Sequence, residues 1–330
     1  MPILFRQTSH DIAFGRSPIE KMGGDNIVTY SMYGETPPLV LEDSDENEII
    51  IKAYLENITY VLTDKGNLYG CGNNNSGALG DGTTTAVRYL TKVAKKVKDF
   101  SCILNRCCYI TFDGKLYGCG ENDNGELGLG HTDNVLVFTK MAENVKKIYV
   151  DYNTTWYIDN NNDLYGSGWN AHGNQGSGDT NNVLTFTKRA ENVRHVDCDQ
   201  YYTFYIDNND DLYGCGKFGY NTENILTFIR LGSNVKNVKG SSNYIVWYLT
   251  NSGELYGYGY NEFGQQGSGD TTRVTAFTKR ASNVKDFDCS IATTFYIDNN
   301  DNLYCCGENR HGQLGTGNTN NILTFTKKSF

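Results

Sequence analysis

Five histidines are the first residues to weigh for acid–base chemistry, and nothing beside them completes a catalytic set. His10, His131, His172, His195 and His311 share no recurring Asp or Ser partner, so a nucleophile, a base and an orienting carboxylate are not expected to meet. The ten cysteines avoid Cys-x-x-Cys spacing and no His-x-x-x-His pair accompanies them, which leaves zinc without a ligand set. Asn122-Asp123-Asn124-Gly125 resembles a calcium loop in composition. It lacks the order Asp-x-Asp-x-Asn-Gly and a Glu at the twelfth place, so turn geometry explains it better. No glycine phrase follows a strand and opens a helix, as a phosphate loop must. Asn57-Ile58-Thr59 and Asn153-Thr154-Thr155 fit the glycosylation acceptor, which matters only in a secreted chain. The expectation is a protein that is not an enzyme, with no catalytic residues, metal or cofactor.

Recognition is the chemistry that remains, and aromatic residues mark a place for it. Trp169, then Phe218 and Tyr220, then Tyr260 and Phe263 follow three successive copies of a Leu-Tyr-Gly phrase at matched distances. Such residues enrich interface cores and also stack on sugar rings, so these five form the candidate binding set. Between them the chain is short. The anchor leucine lies 22 residues before the last-strand aromatic in Leu303 to Phe325 but 16 in Leu212 to Phe228, so a loop has lost six residues. The missing loop predicts a notch lined by Trp169 on one side and by Tyr260 and Phe263 on the other. The competing reading is that these rings fold back to plug the gap.

The elements that must position these residues are written six times. Leu68, Leu116, Leu164, Leu212, Leu255 and Leu303 head the phrase at steps of 48, 48, 48, 43 and 48 residues, a period typical of propellers and solenoids. Ahead of each stands an alternating run such as Val284-Lys285-Asp286-Phe287-Asp288-Cys289, which reads as strand a. An aromatic and β-branched strand b follows, as at 294–297, then a turn of Asp and Asn that leads into strand c, the Leu-Tyr-Gly strand itself. A glycine loop comes next, complete in Gly312-Gln313-Leu314-Gly315-Thr316-Gly317, and its glycines suit positive φ or close backbone approach. Strand d closes the unit, with starts expected at Val135, Val183, Ile225 and Ile322. Four short strands joined tightly make one antiparallel blade. Up-and-down order puts a–b turns and c–d loops on one face, with the Asp/Asn turns and Lys-rich d–a links on the other.

A Val-rich strand, a Leu-Tyr strand ending in Gly-x-Gly and then Asn-x-x-Gly-Gln-Leu-Gly-x-Gly resemble the regulator of chromosome condensation type repeat. The resemblance covers about residues 49–330 and implies a seven-bladed β-propeller. The expected fold is therefore all-β, with four-stranded blades, six clear repeats and a degenerate N-terminal seventh. The family's Gly-x-x-His before strand b is Ser290-Ile291-Ala292-Thr293 in the last repeat. Its Trp two residues after the Tyr is replaced by Cys71, Cys119, Ser167, Cys215, Tyr258 or Cys306. The exchange activity of the family's namesake on a small GTPase finds no matching loop residues here, so a guanine-nucleotide exchange factor-like module is disfavoured.

Composition narrows the partners. A net charge of −9 with a pI near 5.1, and basic residues dispersed among acidic turns, argue against a nucleic-acid face. No stretch approaches 18 apolar residues and the first ten residues lack a signal-peptide pattern, so no membrane span and a cytoplasmic or virion location are expected. Seven cysteines recur at equivalent places, Cys71, Cys119, Cys215 and Cys306 on strand c and Cys102, Cys198 and Cys289 on strand a. They read as small packing residues in a reducing compartment. Residues 1–48 break the repeat, with strands expected at 11–14, 27–33 and 39–41 and an acidic link at 42–48. They form either a degenerate blade or an arm that docks on a neighbour, and residues 49–330 form the propeller. The leading expectation is a non-catalytic interaction or structural propeller that presents its loops to protein partners, within a larger assembly such as a phage or virus particle. A carbohydrate-binding propeller is the alternative.

Overall fold

The computed structural model describes residues 7–8, 11–13, 27–28, 39–40, 48–218, 223–241 and 245–328. Among these every regular element is a strand, and no helix is long and apolar enough to cross a membrane. Each repeat forms one antiparallel sheet in the order a-b-c-d. Repeat 2 is representative: Val97–Ile103, Arg106–Thr111, Leu116–Gly120 and Val135–Ala142. The expected strand d starts at Val135, Val183, Ile225 and Ile322 are the observed ones.

Leu-Tyr-Gly recurs because each residue has a separate packing task. The leucines Leu68, Leu116, Leu164, Leu212 and Leu255 are fully buried. In repeats 2, 4, 5 and 6 the tyrosine pairs with a strand b tyrosine directly across the ladder and stacks on it, whereas Tyr69 of repeat 1 lies opposite Val61. Centroids are 5.2 Å apart for Tyr109 and Tyr117, 4.8 Å for Tyr205 and Tyr213, and 4.6 Å for Tyr296 and Tyr304. A strand d phenylalanine then meets the strand b ring edge-on, as Phe138 does on Tyr109 at 4.9 Å and Phe325 on Tyr296 at 4.8 Å, a favoured aromatic geometry. The Asp/Asn turns use their own side chains. Asp207 Oδ1 accepts from the amides of Asn209 and Asp211 at 2.9 and 2.8 Å, while Asp210 takes a φ of 62°.

The glycine loop is a cradle for the strand d of the following repeat. A side chain at Gly77 or Gly80 would overlap Leu136 and Phe138, and the same holds for Gly125 and Gly128 with Leu184 and Phe186. Gly173 and Gly176 lie likewise against Leu226 and Phe228, and Gly264 and Gly267 against Leu323 and Phe325. The next glycine adds a backbone bond at 2.8 Å, from Gly178 N–H to the Leu226 carbonyl and from Gly269 N–H to that of Leu323. Outside repeat 4 a buried asparagine shapes the loop from inside: Asn261 Oδ1 accepts from the Gln266 amide at 2.8 Å and its Nδ2 donates to the Asp270 carbonyl at 3.0 Å.

The chain divides into two compact units, one of Met1–Asn161, Tyr165–Gly168 and Val183–Thr187, the other of Asn162–Leu164, Trp169–Asn182 and Lys188–Phe330. In the first, strands β1 (Gln7–Thr8) and β2 (Asp11–Ala13) extend the sheet of repeat 1, with Ile12 opposite Ala53 and Ala13 opposite Lys52. Strands β3 (Ile27–Val28) and β4 (Leu39–Val40) pair with each other. The acidic link lies outside the described residues except for Glu48, which accepts from Asn67 Nδ2 at 2.6 Å.

One expectation is corrected in this unit. Cys102, read as a packing residue, is joined to Cys107 by a disulfide. The two face each other across the a–b ladder, where the residue opposite Cys198 is Thr203 and that opposite Cys289 is Thr294. A sulfur on both strands, rather than on one, makes the bond.

Candidate functional site

The candidate residues all belong to the second unit, where equivalences between repeats explain their positions. Trp169 and Tyr260 occupy the same place, five residues after the anchor leucine, and His172 and Phe263 share the place three residues further on. Each pair forms a ring contact, Trp169 with His172 at 5.1 Å and Tyr260 with Phe263 at 6.3 Å. Trp169, Tyr260 and Phe263 are half-buried. The a–b turn of the following repeat approaches each loop. Tyr201 stands 6.4 Å from Trp169 and 5.3 Å from His172, and the Ile291 carbonyl accepts from Gln265 Nε2 at 3.3 Å with the Ile291 side chain 47% exposed.

Phe218 is placed differently. It stands at the position of the loop-shaping asparagines Asn170 and Asn261 and, with no loop of normal length to organise, it turns into the core. Its ring is 6% exposed and packs on Phe204 at 5.0 Å and on Tyr258 at 6.4 Å. Tyr220 lies outside the described residues. The c–d connection of repeat 4 runs over residues 217–224, against 169–182 and 260–273 in repeats 3 and 5, so the six-residue shortening is present. The next strand d matches it: where other repeats put Leu226 or Leu323 into a cradle, repeat 5 has an exposed Thr275.

His172, Tyr201, Ile291 and Arg273 were missed by sequence reasoning. The signal for His172 was its equivalence to Phe263. Tyr201 and Ile291 come from a neighbouring repeat's turn, which period alone does not bring together. The Arg273 guanidinium lies 5.6 Å from the centre of the Tyr260 ring, a cation–π contact. Burial, and then the nearby Lys217 ammonium, hold the His172 imidazole below its ordinary pKa, so it is neutral at pH 7 and acts as an aromatic surface. Among the described residues no group of three or more His, Cys, Asp or Glu side chains could hold a metal.

The turn side of the second unit has its charges compensated. Lys188 bridges Asp163 and Glu191, Arg194 meets Asp210, Arg230 meets Asp211, Lys279 meets Glu254 and Lys285 meets Asp301.

Two sequence profiles, both described as Regulator of chromosome condensation (RCC1) repeat, match residues 113–148 and 284–313. The chain carries RCC1-type repeats. No curated protein matches it in sequence. Among solved structures, human WBSCR16 superposes with a TM-score of 0.64 at 16% identity, over 83% of this chain and 80% of that one. Prp20p from Saccharomyces cerevisiae, reported with its binding properties to Gsp1p and histones, gives 0.64 at 16%, over 85% and 77%. The same yeast RCC1 bound by Kap60 gives 0.64 at 16%, over 85% and 75%. At that identity the likeness establishes the fold: an all-β, RCC1-like architecture of successive antiparallel sheets, consistent with a β-propeller.

Proposed function

We propose that this RCC1-repeat protein is a non-catalytic binding module whose second unit engages a protein partner through its c–d loops and a–b turns. The observation that carries the reading is the pair of equivalent half-buried aromatic clusters, Trp169 with His172 and Tyr201, and Tyr260 with Phe263 and Arg273. Large rings at a polar rim are what interface hot spots are made of. The protein binding of Prp20p, on the same fold, supports a protein partner over a small substrate. Compensated charge on the turn side and a net charge of −9 speak against nucleic acid. Phe218 has a core role in this reading, and the binding set keeps Trp169, Tyr260 and Phe263, joined by His172 and Tyr201, with Tyr220 still a candidate outside the described residues. The narrower proposal is a place in a larger assembly such as a phage or virus particle, with residues 1–48 ending the repeat array; native mass of material from source tests it.

The decisive variant is Trp169→Ala with Tyr260→Ala. It should weaken binding of a partner captured from source cells, then purified, by about 2 kcal/mol or more while the melting curve stays in place. Normal binding by this variant, together with loss of assembly on removing residues 1–41, would move the attachment site to the N-terminal segment. Retained protein binding with lost retention on immobilised oligosaccharides would favour the carbohydrate reading.

A further inference from the structure

In repeat 2 three cysteines stand in a row across adjacent strands: Cys102 on strand a, Cys107 on strand b and Cys119 on strand c. The corresponding rows read Cys198, Thr203, Cys215 in repeat 4 and Cys289, Thr294, Cys306 in repeat 6. Cys107 is therefore the substitution that turns a packing row into one that holds a disulfide. As a structural staple the bond has little to do. It closes a loop of sequence separation 5, where a cross-link removes least freedom from the unfolded chain, and it joins residues that the ladder already holds opposite each other.

What the bond encloses is a turn with long reach, residues 103–106. The Leu104 amide donates to Tyr54 Oη at 2.9 Å, and the Asn105 carbonyl accepts from the Glu121 amide at 2.9 Å. Arg106, beside Cys107, is buried. Its Nη2 donates to the Asp151 carbonyl at 2.5 Å and the Tyr152 carbonyl at 2.9 Å, and its Nη1 meets Glu126 Oε1 at 3.1 Å. Asp151 ends the next strand a and Tyr152 begins its a–b turn, with the Tyr152 residue 46% exposed.

We propose that Cys102 and Cys107 form a reversible redox clamp that, when closed, fixes the 103–106 turn and through Arg106 the surface turn carrying Tyr152. Opening takes a dithiol. Its thiolate attacks one sulfur to give a mixed disulfide, and its second thiol resolves this, so two electrons and two protons pass to Cys102 and Cys107 and the reductant leaves as a disulfide. Oxidised glutathione reverses the reaction and leaves as two reduced molecules. Burial holds the Cys119 thiol well above its ordinary pKa, and it donates to the Ala78 carbonyl at 2.9 Å, so it remains a thiol and does not compete. Both clamp sulfurs are buried, so reduction waits on local opening of the turn.

The test uses the full chain with dithiothreitol, oxidised glutathione and amide hydrogen exchange. Denatured without reductant it should titrate eight thiols, and ten after reduction. Reduction of the native protein should speed exchange at 103–106 and 151–153 about tenfold or more, with repeats 4 to 6 unchanged, and glutathione disulfide should restore the slow rates. Cys107→Thr, which borrows the residue of the other rows, should exchange fast with or without reductant. Ten thiols without reductant, an open bond with unchanged exchange at 151–153, or failure of the bond to re-form would each overturn the proposal, and none of these needs the variant to fold.

Discussion

Arg106 and Glu126 pose the sharpest energetic question at the scale of single residues. Both are essentially excluded from water, 2% and 0% exposed, and they meet at 3.1 Å. A buried pair of this kind adds little net stability over an apolar replacement, but removing one partner strands the other charge. Arg106→Met should therefore cost about 3–5 kcal/mol in denaturant unfolding, and Arg106→Met with Glu126→Gln should recover much of it. The sequence held a sign of this pair: the first strand b residue is Ile58, Thr154, Tyr202, Ile245 or Thr293 elsewhere, so a charge there is out of pattern. Its partner was hidden because Glu126 reads as an ordinary polar loop residue. Phe218 follows the competing reading, in which the ring folds back into the gap. Aromatic type suggested a surface ring, but its place in the repeat was that of a buried asparagine.

Strand starts, Asp/Asn turns and the antiparallel order were legible because each follows from periodicity or turn chemistry inside one repeat. The cradle was not, because it forms between repeats. Positive φ at its glycines was expected, while the reason for close approach, a Leu and a Phe from the next strand d, lay some fifty residues ahead in sequence. Gly267 shows both demands at once, with φ at +61° and so little room that a Cβ there would lie 2.6 Å from the Phe325 ring. Gly267→Ala should lower stability by about 1–3 kcal/mol, the usual scale of backbone strain, and thermal unfolding measures it. An unchanged melting temperature would mean that the loop does not grip the strand.

For the whole molecule, the tyrosine ladder sets a limit in alkali. Burial, and then the neighbouring tyrosine, push Tyr109, Tyr248 and Tyr296 up to about 12, and move Tyr157 and Tyr205 in the same direction. A folded pKa above the unfolded value of about 10 means the contribution to stability is whole below pH 10 and lost as pH rises through 12. Stability should fall steeply across that window, with tyrosinate absorbance and loss of the sheet signal rising together. Phenols that ionise near pH 10 while the sheet signal persists would show that the ladder is open to water.

The cradle also decides where this chain could be cut and recombined. The c–d connection of repeat 4 is six residues shorter and repeat 5 has Thr275 where other repeats have the cradled leucine, so the two changes travel together across a repeat boundary. The matched unit is therefore longer than the written repeat: it begins at strand c of one copy and ends with strand d of the next. Gly125 lies 59 residues before Leu184 while the anchor leucines step by 48, so successive pairs interlock, and any junction inside the array parts at least one socket from its plug unless the matched strand d is exchanged with the loop.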